Sequence, residues 1–292
     1  MGLTLTEDDG RELRISFGEA ELLRYVYRPW DAPLESPRPY FHPMRTLGGD
    51  LVTVYRPHDH VWHKGIAWSL PHVGPANFWG GPTYVRGADY QQLANNGTMW
   101  HREFELTSAT EVAHRLDWVT EQGEKWFTER RSFTVSVDEG ARAWTLGFTT
   151  SFVNVSRREI KIGSPTTEGR PNAGYGGLFW RGPRSFSGGE VLVPGTTGGD
   201  ELMGVRAPWL AFRGRHDEHG GVSTLICVDR QDDQPQWFVR SQPFACVCPA
   251  PFFSEEVPVA PGDELTFRYA VVIADSAREP DEIAHLAETA RG

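Results

Sequence analysis

No stretch of the 292 residues stays apolar for the roughly 20 positions a membrane-spanning helix needs. The opening residues, MGLTLTEDDGREL, have neither the basic nor the apolar segment of a secretion signal. The expectation is a cytoplasmic protein with no membrane partner. Basic charge is also in short supply: 29 Lys and Arg against 39 Asp and Glu leave a formal net charge of −10. A polyanion partner requires clustered cations that displace counterions, so this balance argues against nucleic acid. Cysteine is scarce, with three residues, no CxxC and no zinc ribbon. Cys246 and Cys248 stand at strand spacing in FACVC, on one face, and read as buried thiols. Asn96-Gly-Thr and Asn154-Val-Ser match the glycosylation pattern, but without a secretion signal they read as chance matches. Internal repeats, low-complexity tracts and linkers are absent as well, so residues 1–292 are expected to form a single domain.

Aromatic and β-branched residues, in contrast, are plentiful, with 11 Trp and 16 Phe. They fall in short runs such as LRISF, LVTVY, VAHRLDWV, WFTERRSFTVSV, AWTLGFTTSFVNV, STLICVD and ELTFRYAVVIA, separated by Gly, Pro, Asn and Asp. This is an all-β pattern. Within WFTERRSFTVSV, period-2 alternation places Phe127, Glu129, Arg131, Phe133, Val135 and Val137 on one face, apolar apart from one carboxylate and one guanidinium. That pair is satisfied internally or lines a cleft. Only REPDEIAHLAETARG reads as a helix, with Pro280 near its start and Ile283, Leu286 and Ala287 at helical spacing; its expected role is to cover an edge. The glycine-rich segment GRPNAGYGGLFWRGP cannot be regular strand throughout, and loops of this kind on a rigid scaffold often carry function.

The densest chemistry is RPHDHVWHKG, residues 56–65, with three of the ten histidines, an aspartate and a lysine. If His58 to Trp62 were extended, His58 and His60 would share a face, the arrangement of a His-x-His metal pair that His101 could complete. Lys64 beside such ligands opposes a divalent cation. The acid/base reading needs no metal: imidazole gives and takes protons near neutral pH, Asp59 would orient a ring and raise its pKa, and Lys64 would lower one. A polar loop whose histidines bind backbone is the bland alternative. Aromatics at Trp62, Trp79, Trp100 and Trp180 lie among Gly, His and Arg, as sugar-stacking residues do, whereas Trp118 and Trp144 read as core.

RPYFHPMRTLGG, HDHVWHKG, NFWGG, FTERRSF, GYGGLFWRG and WFVRSQPF followed by GDELTFRY occur in an order that resembles soluble bacterial proteins labelled "PmoA family" or methane oxygenase-like. The resemblance runs from about Arg38 to about Asp275, and its most specific part is Asp59, His60, His63, Lys64 and Gly65. Those relatives often carry a further Pro and His between Asp-His and His-Arg; this chain has Val61 and Trp62 there, with His58 added upstream. Particulate methane oxidation belongs to membrane enzymes, so the label assigns no chemistry here. What the resemblance implies is a large antiparallel β-sandwich similar to galactose mutarotase, with a short C-terminal helix and carbohydrate as the small-molecule partner.

The expectation is therefore a carbohydrate-active enzyme that transfers a proton on a sugar or keto-sugar by mutarotation, epimerisation or elimination. His60 and His63 would serve as general acid and charge stabiliser and Glu129 as base, with Glu168 and Glu255 as substitutes. Tyr40, His42, Arg45, His58, Asp59, Lys64, Trp79, Trp100, His101 and Arg181 would line the pocket, the cations holding hydroxyl or carboxylate groups. No cofactor and no metal are expected on this reading. Two alternatives stay open: a metal-dependent β-barrel enzyme using His58 and His60, and a non-catalytic sugar-binding module. The oligomeric state is open too, a homodimer included.

Overall fold

The computed structural model describes residues 2–231 and 233–292. Two large sheets, with every strand pairing antiparallel, account for nearly all the regular structure. The eleven-stranded sheet runs in spatial order Leu3–Asp8, Glu12–Phe17, Ala20–Val26, Tyr40–Met44, Ile66–Val73, Gly177–Arg181, Cys246–Ala250 and Gln236–Arg240, with Ala76–Phe78, Ile160–Gly163 and Val257–Val259 attached beside that path. The nine-stranded sheet runs Thr196–Gly198, Glu190–Val193, Trp209–Arg215, Val222–Asp229, Glu264–Ala274, Ala143–Asn154, Lys125–Asp138, Glu111–Val119 and Thr98–Thr107.

The sheets pack face to face as a sandwich, as expected. The strand Lys125–Asp138 shows why: Phe127, Glu129, Arg131, Phe133 and Val135 are buried while Arg130, Thr134 and Ser136 face solvent, the alternation that a one-sided antiparallel strand produces. Between the sheets, Trp68 packs against Phe148, Phe152, Phe267 and Tyr269, and Trp118 against Phe78, Phe127 and Phe152. Trp118 and Trp144 lie in this core, and so does Trp180, whose indole donates to the Val52 carbonyl at 2.8 Å. Trp180 is thus a core residue, contrary to the sugar-stacking expectation.

Two further apolar clusters cover the outer faces. On the nine-stranded sheet, Ile283, Leu286 and Ala287 of the helix Pro280–Arg291 settle on Trp209, Ile226, Val228, Ala270 and Val272. The helix therefore shields a sheet face and not an edge. On the eleven-stranded sheet, Phe179, Phe238, Cys246 and Cys248 project outward from three adjacent strands, while Leu178, Trp180, Trp237, Val239 and Val247 point inward to the core. This second outer cluster is the floor of the candidate site. Asn96 and Asn154 are buried and hydrogen-bonded through their amides to the carbonyls of Gly81 and Val259, which leaves no room for a glycan on either.

Candidate functional site

The histidine segment is a pair of consecutive turns, not an extended strand. His60 N–H donates to the Pro57 carbonyl at 3.0 Å and His63 N–H to the His60 carbonyl at 2.9 Å, and Arg56 N–H closes the loop on the His63 carbonyl at 3.0 Å. Both ends of the loop are clamped by acids from residues 31–35. Arg56 makes a two-pronged pair with Glu35 at 2.8 and 3.0 Å, while the Lys64 ammonium, wholly buried, sits 2.9 Å from Asp31 and in hydrogen-bond contact with Glu35. Burial lowers the Lys64 pKa, and those two carboxylates oppose it. Gly65 ends the loop with φ +61, and a Cβ there would stand 2.3 Å from the Phe41 carbonyl oxygen, so only glycine fits. Lys64 is thus a fastener of the loop and does not reach the ligand space.

What the clamped loop presents is a pair of imidazoles. The rings of His60 and His63 stack with centroids 4.6 Å apart and planes 13° from parallel, and both line a cavity of about 500 Å³ over the outer apolar cluster. Trp62, Trp79, Tyr175, Phe179 and Phe244 supply apolar wall; Tyr90, Arg170 and Arg240 supply polar groups. Gly80 and Gly81 let the chain pass under Trp62, since a Cβ on either would fall 2.6 Å from that side chain.

Behind the imidazoles lies Arg181, carried by the strand Gly177–Arg181 and only 2% exposed. One arm of its guanidinium donates to His63 Nδ1 at 2.9 Å and the other to the Asp59 carboxylate at 3.0 and 3.3 Å, while its flat face lies 3.6 Å from the Phe244 ring. A guanidinium can only donate, so His63 Nδ1 must accept and the ring proton must sit on Nε2. Burial, followed by the charges of His60, Arg181, Arg38 and Lys64, holds His63 well below the ordinary histidine pKa; it is a neutral hydrogen-bond donor at pH 7.

His60 is set differently. Asp59 Oδ2 lies 3.2 Å from its Nδ1, an electrostatic contact whose angle falls short of a hydrogen bond, so Nδ1 is buried without a hydrogen-bond partner. The adjacent anion favours the proton on Nδ1 and leaves Nε2 with the lone pair. Burial lowers the His60 pKa and Asp59 opposes the shift. For Asp59 itself burial raises the pKa, but the Arg181 hydrogen bonds and charge, with His60, outweigh it and bring the carboxyl down to about 2. One cavity wall therefore holds two neutral imidazoles, one offering N–H and the other a lone pair.

Other expected site residues lie elsewhere. Glu129 is sequestered between the sheets, accepting from Trp118 at 2.6 Å, Arg131 at 2.7 and 2.9 Å and Thr150 at 2.7 Å, so no oxygen is left for a ligand. His101 and His114 meet through their Nδ1 atoms at 2.9 Å, and His114 meets the Tyr25 hydroxyl at 2.8 Å, away from the cavity. Tyr40 stacks on Tyr55 in a small cluster of its own, His42 is bound to Thr53 at 2.9 Å, and Arg45 donates to the Gly49 carbonyl. His58 is exposed beside Arg184, Trp100 is 51% exposed, Glu255 is exposed and Glu168 lies 4.0 Å from Arg86. None of these lines the cavity, because strand register and turn geometry send their side chains to other surfaces. Among the described residues no three His, Cys, Asp or Glu side chains are grouped to hold a metal ion, so the proposed His58 and His60 pair gains no third donor.

Of the expected residues, His60, Trp62, His63 and Trp79 reach the cavity, and Asp59 and Arg181 support them from behind. The residues overlooked are Tyr90, Arg170, Tyr175, Phe179, Phe238, Arg240 and Phe244. Most belong to segments whose composition already stood out: the glycine-rich run 169–183 holds Arg170, Tyr175 and Phe179, and WFVRSQPF holds Phe238, Arg240 and Phe244. Tyr90, in the two-stranded sheet of Thr83–Val85 and Asp89–Gln91, had no such signal.

A model of a family of unknown function, DUF6807, matches residues 12–288. No curated protein matches the sequence. Similar solved structures include a galactose mutarotase-like protein from Lactobacillus casei, 10% identical over 93% of this chain and 100% of that chain, with a TM-score of 0.44. Another is a galactose mutarotase related enzyme from Lactobacillus acidophilus, 11% identical over 95% of this chain and 100% of that chain, TM-score 0.38. A third is a GH36 α-galactosidase from Geobacillus stearothermophilus, 10% identical over 95% of this chain but 41% of that chain, TM-score 0.40. These likenesses concern the path of the chain and not the chemistry of the site.

Proposed function

We propose that this chain, which belongs to the DUF6807 family of unknown function, binds a small sugar or keto-sugar in the cavity beside His60 and His63 and moves a proton on it. The observation that supports the reading is the stacked pair of imidazoles with opposite roles. His63 offers Nε2–H because Arg181 occupies its Nδ1, and His60 offers a lone pair because Asp59 faces its other nitrogen. In a keto-sugar, His60 would take the hydrogen next to the carbonyl as a proton, the C–H electron pair would form a C=C bond to the carbonyl carbon as the C=O π pair moves onto oxygen, and His63 would hydrogen-bond the resulting enolate. Return of a proton to the opposite face of the enolate completes an epimerisation with no net change in composition, whereas return to the same face regenerates the substrate and is seen only as hydrogen exchange with solvent. Two groups tuned apart on one wall are what such a transfer requires.

Carbohydrate is supported by the lining. Trp62, Trp79 and Tyr175 offer apolar faces to pack on pyranose C–H groups, and the volume falls within the range of about 300–1,000 Å³ common for small-ligand sites. Methane oxygenase chemistry, suggested by the label on similar motifs, has no part in this reading.

The test is solvent exchange. A panel of aldoses, ketoses and keto-sugars is incubated with the protein in D₂O, and carbon-bound deuterium is read by NMR. At least one substrate should exchange, with the rate lost in His60→Asn and strongly reduced in His63→Gln while both variants keep the wild-type melting curve. Binding without exchange by the wild type would leave a sugar-binding module, and wild-type exchange in His60→Asn would remove the assigned base.

A further inference from the structure

The chain as a whole is acidic, with a net charge of −10, yet the cavity lining contains two arginines, Arg170 and Arg240, and no aspartate or glutamate. Among the described residues Arg170 has no acid partner and Arg240 has only one long ion pair. Arg170 donates to the Tyr90 hydroxyl at 2.7 Å and lies 5.0 Å from the Tyr90 ring; that hydroxyl in turn meets the Tyr175 hydroxyl at 3.0 Å. Among the described residues no carboxylate pairs with it. Arg240 has a single long contact, 3.5 Å to Asp200, and the other oxygen of Asp200 is taken by the backbone N–H groups of Ser241 and Gln242 at 2.5 and 3.0 Å. Arg181, in contrast, is buried and spent on Asp59 and His63.

A guanidinium that lines an apolar hollow with no acid partner, or with one long one, keeps donors free in a setting where water screens poorly, and its planar fork matches a carboxylate. Tyr90 holds the plane of Arg170 without cancelling its charge. From this asymmetry we propose that the ligand of the cavity is an anion, a sugar acid whose carboxylate is held by Arg170 and Arg240 while its ring lies against Trp62 and Trp79. The inference rests on the carbohydrate reading for the ring and on the two arginines for the acid. It differs from the sequence-based expectation, in which Arg45, Lys64 and Arg181 would have met the carboxylate.

The experiment measures binding by calorimetry for matched pairs: the gluco, galacto and manno hexuronates against the corresponding neutral hexoses. The acid of at least one pair should bind ten-fold or more tightly than its neutral partner, weaken as NaCl rises from about 0.05 to 0.5 M, and lose that advantage in Arg170→Gln and Arg240→Gln. The salt response needs no variant, so a misfolded mutant would not blunt the test. Equal binding within every pair, no binding of any acid, or a preference untouched by both substitutions overturns the inference. A non-sugar hydroxy acid included in the panel separates the two layers. If it binds in an arginine-dependent way and no sugar acid does, the anion site stands and the carbohydrate reading falls; neutral sugars that bind and exchange deuterium while the acids do neither give the converse.

Discussion

Replacing Arg181 with methionine removes three contacts at once, and their sum can be worked out. Asp59 is held at about 2 against an ordinary value of 3.8, a shift worth about 2 kcal/mol of folding stability at neutral pH after allowance for its partial exposure. His63 Nδ1 would be left buried without a donor, which costs about 1–3 kcal/mol. Methionine regains part of this by burying an uncharged chain against Phe244, so the net loss expected in urea denaturation at pH 7 is about 3 kcal/mol. The pH dependence has a definite sign. Asp59 has a depressed pKa in the folded state, so its contribution is complete above 3.8 and fades as pH falls through about 2. The gap between wild type and variant should therefore narrow by about 1 kcal/mol by pH 3. In parallel, ¹⁵N NMR of the imidazoles should show His63 of the wild type with a bare Nδ1 and a protonated Nε2, and a mixture of tautomers in the variant. A loss below about 1 kcal/mol at pH 7, or an unchanged His63 tautomer, would refute the role assigned to Arg181.

Gly81→Ala should cost about 2 kcal/mol or more, because φ is +66 and the new Cβ would lie 2.6–2.7 Å from the Trp62 ring; denaturation followed by tryptophan fluorescence checks it, and a neutral result would show that Trp62 is free to move. Burial lowers His42, His72 and His101 to about 4, with nearby arginines adding to the effect at His42 and His101. The unfolded chain then binds more protons between about pH 6.5 and 4, so stability falls with pH across that window by at most about 1.4 kcal/mol per unit for each full proton of difference. Calorimetric midpoints at pH 7 and 5 measure this, and equal midpoints would contradict it. Burial pushes the thiols of Cys227 and Cys246 up to about 12 and raises that of Cys248 as well, so a thiol reagent at pH 8 should modify none in the folded protein and all three in denaturant.

Much of the fold could be read from local pattern. The alternation in Lys125–Asp138 predicted that Phe127, Glu129, Arg131, Phe133 and Val135 face the core, although Trp126 of the other face is buried too, and the spacing of Cys246 and Cys248 predicted their common face. Where reading failed, the signal was ambiguous in kind. Glu129 on an otherwise apolar face suits a catalytic base or a core ion pair, and only the arrival of Trp118 and Thr150 from neighbouring strands, together with Arg131, decides for the pair. Lys64 beside three histidines looked like a pocket cation. Its burial against Asp31 and Glu35 depends on residues some thirty positions earlier, which nothing in the local segment specifies.

The order of residues alone determined that this chain would form antiparallel strands with one terminal helix, since period-2 burial and turn residues act over a few neighbours. It also determined that titratable groups would crowd residues 58–64. Tertiary structure decided which of them share one cavity, and that Arg170, Arg240 and Phe244, from distant segments, would join His60 and His63 there. The physical reason is that a nitrogen's proton and a cation's free donors depend on the groups opposite them. Arg181 lies 118 positions from His63, and it is their contact that leaves the imidazole with its hydrogen facing the cavity.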